Sequence, residues 1–257
     1  MGLMTGKVAV ILGASDERSM GAAAARKCLQ EGGQVVVAGR NEERVNALAA
    51  SLGCAGFRCD IKSDNDLEAL AQFAVDTYGQ LDAAINFVGI EAAGPVSELT
   101  REVLMESADV HFAGSVMFIR YMAAAMGDTG GAIVTTSSQL AILAAPGMAA
   151  YAGAKAAADQ AVRIAANELG ASNIRVNSIA PGFTLSAMTA AYFEVPSIEA
   201  AFMKEVALNR LPTVEDIANA AVWLASDESF ATGVRLDLSA GGTLRRIPTG
   251  EEMMGQG

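Results

Sequence analysis

The stretch Val8-Ala9-Val10-Ile11-Leu12-Gly13-Ala14-Ser15-Asp16-Glu17-Arg18-Ser19-Met20-Gly21 decides the fold. Five apolar residues run unbroken into Gly13, the pattern of a strand buried on both faces. From Met20 the chain turns alanine-rich and reads as a helix, ended by Gly32-Gly33. Glycine between the two permits a tight turn and a close approach of backbone to phosphate. The following helix start offers free N–H groups and a positive dipole end. A glycine after a strand is also often a plain turn. The strand–loop–helix context makes nucleotide binding the preferred reading. Gly13, Ser15, Arg18, Ser19, Met20 and Gly21 are the candidate phosphate-loop residues.

The alternation continues outward. Strands are expected at 7–12, 34–38, 56–60, 81–87, 132–136, 174–179 and 234–238. Helices are expected at 20–31, 42–52, 64–77, 149–169 and 214–225, with a long helical region over 101–126. Asn41 and Thr213 stand where N-caps belong. Leu67, Leu70, Ala71, Ala74 and Val75 share one helical face. Seven strands alternating with helices predict an α/β, doubly wound parallel sheet covered on both faces. No linker or repeat divides the chain, so 1–257 reads as one domain. Residues 184–208 break the alternation; they are apolar, contain Pro196 and follow a strand's C-terminal end, the place of a lid. The polar tail, about 245–257, is expected to be mobile or to reach a neighbouring subunit.

Composition excludes several chemistries. The chain has 257 residues, 18 Lys plus Arg against 29 Asp plus Glu, and one histidine. The lone His111 rules out metal sites needing two or more histidines, and any Ser-His-Asp triad in which it is not the base. A net charge of −11, with no basic stripe, argues against nucleic-acid and membrane-surface partners. Cys28, Cys54 and Cys59, an odd set without paired spacing, suggest packing residues in a reducing compartment. No apolar run reaches the ~18 residues of a membrane helix. A soluble, cytoplasmic protein without a metal is expected.

The second strand ends Val37-Ala38-Gly39-Arg40. A carboxylate near this position would hold a ribose 2′-hydroxyl; here Arg40, with Arg18, suits a 2′-phosphate. NADP(H) is therefore favoured over NAD(H), the alternative being two solvated surface arginines. Tyr151 and Lys155 lie four apart on one helix face. An ammonium that close is expected to pull the tyrosine below its usual value and prepare it for proton exchange. In isolation the pair also fits an ordinary amphipathic helix. Ser138, just past the fifth strand's C-terminal end, moves the reading toward a site.

With these pieces in place, the sequence resembles the short-chain dehydrogenase/reductase superfamily from about residue 5 to 242. The carriers are the Gly13 loop, Asp60-Ile61, Asn86-Phe87-Val88-Gly89, Ser137-Ser138, Tyr151-x-x-x-Lys155, Asn177-Ser178-Ile179-Ala180-Pro181-Gly182 and Gly241-Gly242. The resemblance implies a Rossmann-type fold, with Tyr151 as general acid/base and Ser138 bonded to the substrate oxygen. Lys155 would hold the nicotinamide ribose. Asp60 would meet adenine, Asn86 would line the cofactor channel, and Ser186 or Thr184 would bind the carboxamide beyond Pro181 and Gly182. A homotetramer or homodimer through helices 101–126 and 149–169 is also implied.

Three departures stand out. The phosphate loop is two residues longer than the family's usual form and resembles that of divergent enoyl reductases, which space Tyr and Lys more widely. Phe87 and Val88 bulk up the usual Asn-Asn-Ala-Gly. His111 replaces an Asn that, in the family, sits at a helix irregularity whose carbonyl holds a relay water. His111 reads either as packing, the favoured reading, or as a titrating member of that relay.

The expected activity is interconversion of a secondary alcohol and a ketone with NADP(H). Residues 141–146 and the 184–208 lid suggest a small apolar substrate. The alternatives are enoyl (C=C) reduction, and a low-turnover nucleotide sensor or scaffold.

Overall fold

Residues Val8–Leu12 form β1, fully buried at every position. Residues Gln34–Gly39 (β2) and Ala83–Asn86 (β4) pair with it in parallel on either side. The structure, a computed structural model, describes residues 2–256. Beyond these strands lie Ala55–Arg58 (β3), Gly131–Thr136 (β5), Ile174–Pro181 (β6) and Arg235–Leu238 (β7). The sheet order is β3-β2-β1-β4-β5-β6-β7, and each neighbouring pair is parallel. The fold is the doubly wound, Rossmann-type sheet that the alternation predicts.

Strand periodicity sorts the core into two layers. Ala9, Ile11, Val35 and Val37 point to a cluster with α1 (Met20–Gln30), α2 (Glu42–Leu52) and α9 (Val214–Ala225). Val10, Leu12, Val36 and Ala38 point to the opposite cluster. That layer holds α3 (Asp64–Tyr78), α5 (Gly114–Met126) and α6 (Ala149–Leu169). The helix starts are chemically specified. Ser19, Asn41, Ser63 and Thr213 each accept a first-turn backbone N–H through their side chains.

The helical region at 101–126 is interrupted. Helix α4 (Arg101–Ala108) and α5 flank a π-helical segment, Asp109–Ala113. Such a segment accommodates an extra residue without breaking the helix, and His111 sits within it. Strand β6 runs two residues past the expected end because β7 continues the ladder, pairing Ala180 with Asp237 and Pro181 with Leu238.

Residues 184–208 carry two short helices, α7 (Ala190–Phe193) and α8 (Pro196–Lys204). Residues 245–256 make contacts within their own chain. Arg246 pairs with Glu205 at 2.8 Å and with Glu252 at 2.7 Å, and Ser197 Oγ donates to the Met253 carbonyl at 2.7 Å. These contacts fold α10 (Gly250–Met253) back onto α8. Cys28 and Cys59 are buried, and burial pushes both thiols up to about 12. Among the described residues, no helix is long and apolar enough to cross a membrane.

Candidate active site

The chain winds outward from β1 to β3, then returns to place β4 against β1's other edge. Such a switch point opens a crevice at the strands' carboxyl ends. Gly13 sits there with φ +92°. A Cβ at Gly13 would lie 2.8 Å from the Phe87 carbonyl carbon and 2.9 Å from the Val88 nitrogen. The two loops can pass this closely only because position 13 has no side chain. A cleft of about 800 Å³ follows, running from Arg18, Arg40 and Arg44 past Gly13 to Ser138, Tyr151 and Lys155.

Most of the expected residues meet in this cleft. Gly13, Ser15, Arg18, Ser19, Met20, Arg40, Ile61, Gly89, Ser138, Tyr151, Lys155, Pro181, Gly182, Thr184 and Ser186 all line it. Four others stand behind its wall. Gly21 packs against the turn, where a Cβ would strike the Gly13 carbonyl oxygen at 2.5 Å. The Asp60 carboxylate turns back to accept the Lys62 N–H at 3.0 Å, leaving Cys59 and Ile61 at the cleft. Asn86 is buried; it accepts the Val88 N–H at 2.9 Å and reaches Ser115 Oγ at 3.5 Å. It thus braces the loop after β4 rather than lining the channel. His111 is buried beside Tyr151.

The arginine end differs from the expected two free cations. Arg18 pairs with Asp16 at 3.3 Å, and this hydrogen bond holds the Asp16 carboxyl below its usual range. Arg40 is exposed in the cleft wall, and Arg44 stands beside it. Arg44 was not anticipated. Its signal is a cation in the first turn of α2, where the helix dipole ordinarily favours carboxylates. At the far end, Met188 of the expected lid and the unanticipated Glu91 join Ile90. The Tyr192 hydroxyl of α7 donates to Glu91, joining segment 184–208 to the loop after β4. The ring of Phe183 stacks on Phe193 at 4.7 Å and on Phe202 at 4.0 Å. Residues 141–146 do not form the expected apolar wall of this cleft. The short turn Gln139–Ala141, started by Ser138 Oγ accepting the Leu140 N–H, carries Ala141 and Ile142 toward α6 and a separate cavity.

The electrostatics at Tyr151 correct a second expectation. Lys155 Nζ donates to the Thr136 carbonyl at 2.6 Å and lies 5.7 Å from the Tyr151 ring centroid. Burial raises the tyrosine above its usual value, opposed by its hydrogen bond with Ser138. It does not lie below that value. Burial pulls Lys155 down to about 8, while the Asp159 carboxylate holds it up. His111 does not titrate near neutrality: burial, aided by Lys155's charge, pulls it down to about 3. Its Nε2 lies 3.0 Å from the Ile90 carbonyl and 3.4 Å from the Ile90 N–H; in the Nε2–H tautomer the ring donates to that carbonyl.

The residues present fit a nicotinamide dinucleotide. Ser19 Oγ takes the Ala22 N–H at 3.0 Å, and the start of α1 stands at the cleft, where Gly13, Ser15, Ser19 and Met20 line the space a pyrophosphate would need. Arg18, Arg40 and Arg44 line the same cleft as Lys155, Tyr151 and Ser138.

Comparison with known proteins agrees. The family model described as enoyl-(acyl carrier protein) reductase matches residues 13–243. An A-factor type gamma-butyrolactone 1'-reductase of Streptomyces virginiae is 36% identical, over 95% of this chain and 98% of that protein. A solved short-chain type dehydrogenase/reductase from Mycobacterium ulcerans superposes with a TM-score of 0.92 at 27% identity, covering 98% of this chain and 94% of that one. A 7α-hydroxysteroid dehydrogenase, solved with NADH and 7-oxo glycochenodeoxycholic acid, gives a TM-score of 0.86 at 33% identity, covering 96% and 98%. The cleft geometry and these likenesses together place the chain in the short-chain dehydrogenase/reductase superfamily, as an oxidoreductase.

Proposed function

We propose that the protein interconverts a secondary alcohol and a ketone with NADP(H). The observation that carries this reading is the meeting of Ser138, Tyr151 and Lys155 in one cleft with the Gly13 turn and a cationic end. A bound dinucleotide supplies or takes the hydride at the carbonyl carbon. In reduction, Tyr151 Oη gives its proton to the carbonyl oxygen; in oxidation, the phenolate recovers it. Ser138 Oγ donates to that same oxygen and holds it against Tyr151. The buried ammonium of Lys155 favours the charge that forms on the phenolate. Arg40 and Arg44 supply cations for a 2′-phosphate, Arg18 being engaged by Asp16.

The substrate end supports a neutral, apolar substrate. Ile90 and Met188 stand there, and Glu91 is the carboxylate at that rim. It repels anionic substrates such as sugar phosphates. Two similar proteins have names in keeping with an alicyclic or lactone-bearing alcohol. Segment 184–208 serves as the lid, clasped to Glu91 through Tyr192. Exposed Leu104, Met105 and Phe112, together with Ile164 of α6, suit assembly into a dimer or tetramer.

The test is turnover of a panel of apolar ketones with NADPH and NADH, with product analysis. Ketone reduction preferring NADPH supports the proposal. The longer glycine loop and the family model's description keep C=C reduction as a second reading. An enone separates the two: exclusive saturation of its C=C bond rejects ketone reduction.

A further inference from the structure

Behind Ser138, on the side away from the cleft, lies a charged hub that the cofactor chemistry does not use. Asp159 is one helical turn past Lys155 on α6. Its Oδ2 accepts from Ser137 Oγ at 2.6 Å, and its Oδ1 accepts from Ser178 Oγ at 2.9 Å. Arg235 of β7 brings its Nε to 3.2 Å from Oδ2 and donates through a terminal nitrogen to the Ser138 carbonyl at 2.7 Å. One carboxylate thereby ties α6 to the end of β5 and to Ser178 within β6, and through Arg235 to β7 and the Ser138 backbone. Both partners are largely shielded, with 19% and 16% of their side-chain surfaces exposed. Neither lines the cleft; both face the separate cavity holding Ala141 and Ile142.

We propose that the Asp159–Arg235 pair is a positioning device: it fixes the Ser138 backbone against α6 and sets a carboxylate one helical turn from Lys155. This role rests on the functional reading above. Ser138 must stand at a fixed distance from Tyr151 for both to hold one oxygen. A shift of under an ångström in that pairing is costly to rate. The groups around Lys155 are Tyr151 and Asp159 on its own helix, His111 from the π segment, and Arg235 behind Asp159. Tyr151 and His111 are both uncharged at neutral pH. Asp159 is thus the carboxylate within this group that opposes Lys155's desolvation.

Asp159→Asn tests the role, because an amide can still bond both serine hydroxyls while losing the charge. We expect Lys155 to titrate below about 8 in this variant, read from its ε-carbon NMR signal in protein without dinucleotide. We also expect kcat to fall by about tenfold to a hundredfold with KM nearly unchanged. Arg235 supplies an independent pair of variants: Arg235→Lys should retain much more kcat than Arg235→Met. An unchanged Lys155 titration together with an unchanged kcat in Asp159→Asn overturns the proposal. So does equal damage from Arg235→Lys and Arg235→Met, which decides the matter if Asp159→Asn does not fold. A wild-type protein that turns over no ketone or alcohol sinks the functional reading instead, and the Lys155 titration still reports on the charge.

Discussion

His111 meets Tyr151 edge to face, with ring centroids 5.0 Å apart and planes inclined at 81°. Its Nε2 faces the Ile90 backbone, 3.0 Å from the carbonyl, and the buried Nδ1 has no hydrogen-bond partner among the described residues. A neutral ring therefore braces the tyrosine, and protonating it would set a second cation beside Lys155. The sign follows from its folded value of about 3 against an ordinary 6.5. Above pH 6.5 neither folded nor unfolded chain binds the proton, so His111 adds nothing to the pH dependence. Below 6.5 the unfolded chain takes up a proton that the folded chain refuses, and stability falls progressively toward pH 3. His111→Asn should flatten the acid limb of a Tm-against-pH curve. Parallel acid limbs in the two proteins would refute the buried neutral ring.

In the proposed mechanism, Tyr151 and Lys155 govern the pH dependence of turnover. Tyr151 lies above its usual value, so it is protonated through neutrality and ready to donate. Lys155 near 8 is the first of the two to lose its proton as pH rises. Ketone reduction should stay level through neutrality and decline above about pH 8, as the ammonium disappears. Tyr151→Phe should lower kcat by about 10²–10⁴-fold while dinucleotide affinity, measured by fluorescence titration, changes little. A reductive rate that climbs through pH 8 would contradict this order of ionisation.

The sheet was legible in the sequence because parallel strands buried on both faces read as unbroken apolar runs, as at Val8–Leu12. The starts of α2 and α9 followed from their caps, Asn41 and Thr213, which stand where they were expected. The cleft residues were legible wherever a motif tied type to position, as at Gly13, Ser138 and Tyr151. Side-chain direction was not. Asn86 and Asp60 have the right neighbours in sequence, yet each carboxyl or amide turns to a nearby backbone N–H. The tyrosine's ionisation was also hidden, since i,i+4 spacing fixes where Lys155 starts but not that its ammonium ends on the Thr136 carbonyl. Glu91 and Asp159 act through partners distant in the chain, and local pattern is silent about those.

The proposed preference for NADP(H) assigns the 2′-phosphate to Arg40 and Arg44. Arg40→Ala and Arg44→Ala should each weaken NADPH binding by about fivefold, ~1 kcal/mol for an exposed charge pair, and leave NADH binding unchanged. Arg18→Ala should do less, since that guanidinium is already held by Asp16 at 3.3 Å. The measurement is dissociation constants for both dinucleotides across the three variants. Equal losses for NADPH and NADH would assign these arginines to the shared pyrophosphate instead.

Glu91 and Tyr192 separate two effects at the substrate rim. The Tyr192 hydroxyl bonds Glu91, and its ring sits 6.4 Å from Phe183 at the edge of the aromatic stack. Tyr192→Phe keeps that ring and removes only the clasp, so it should loosen the lid and raise KM for neutral and anionic ketones alike. Glu91→Gln keeps an acceptor for the hydroxyl and removes only the charge. It should therefore lower KM for a carboxylate-bearing ketone by about three- to tenfold, the scale of one screened charge at close range, with little change for a neutral ketone of the same skeleton. Steady-state kinetics with the matched pair of ketones reads the difference. If Glu91→Gln moves both substrates equally, Glu91 acts through the lid alone, and the exclusion of anions must come from elsewhere in the cleft.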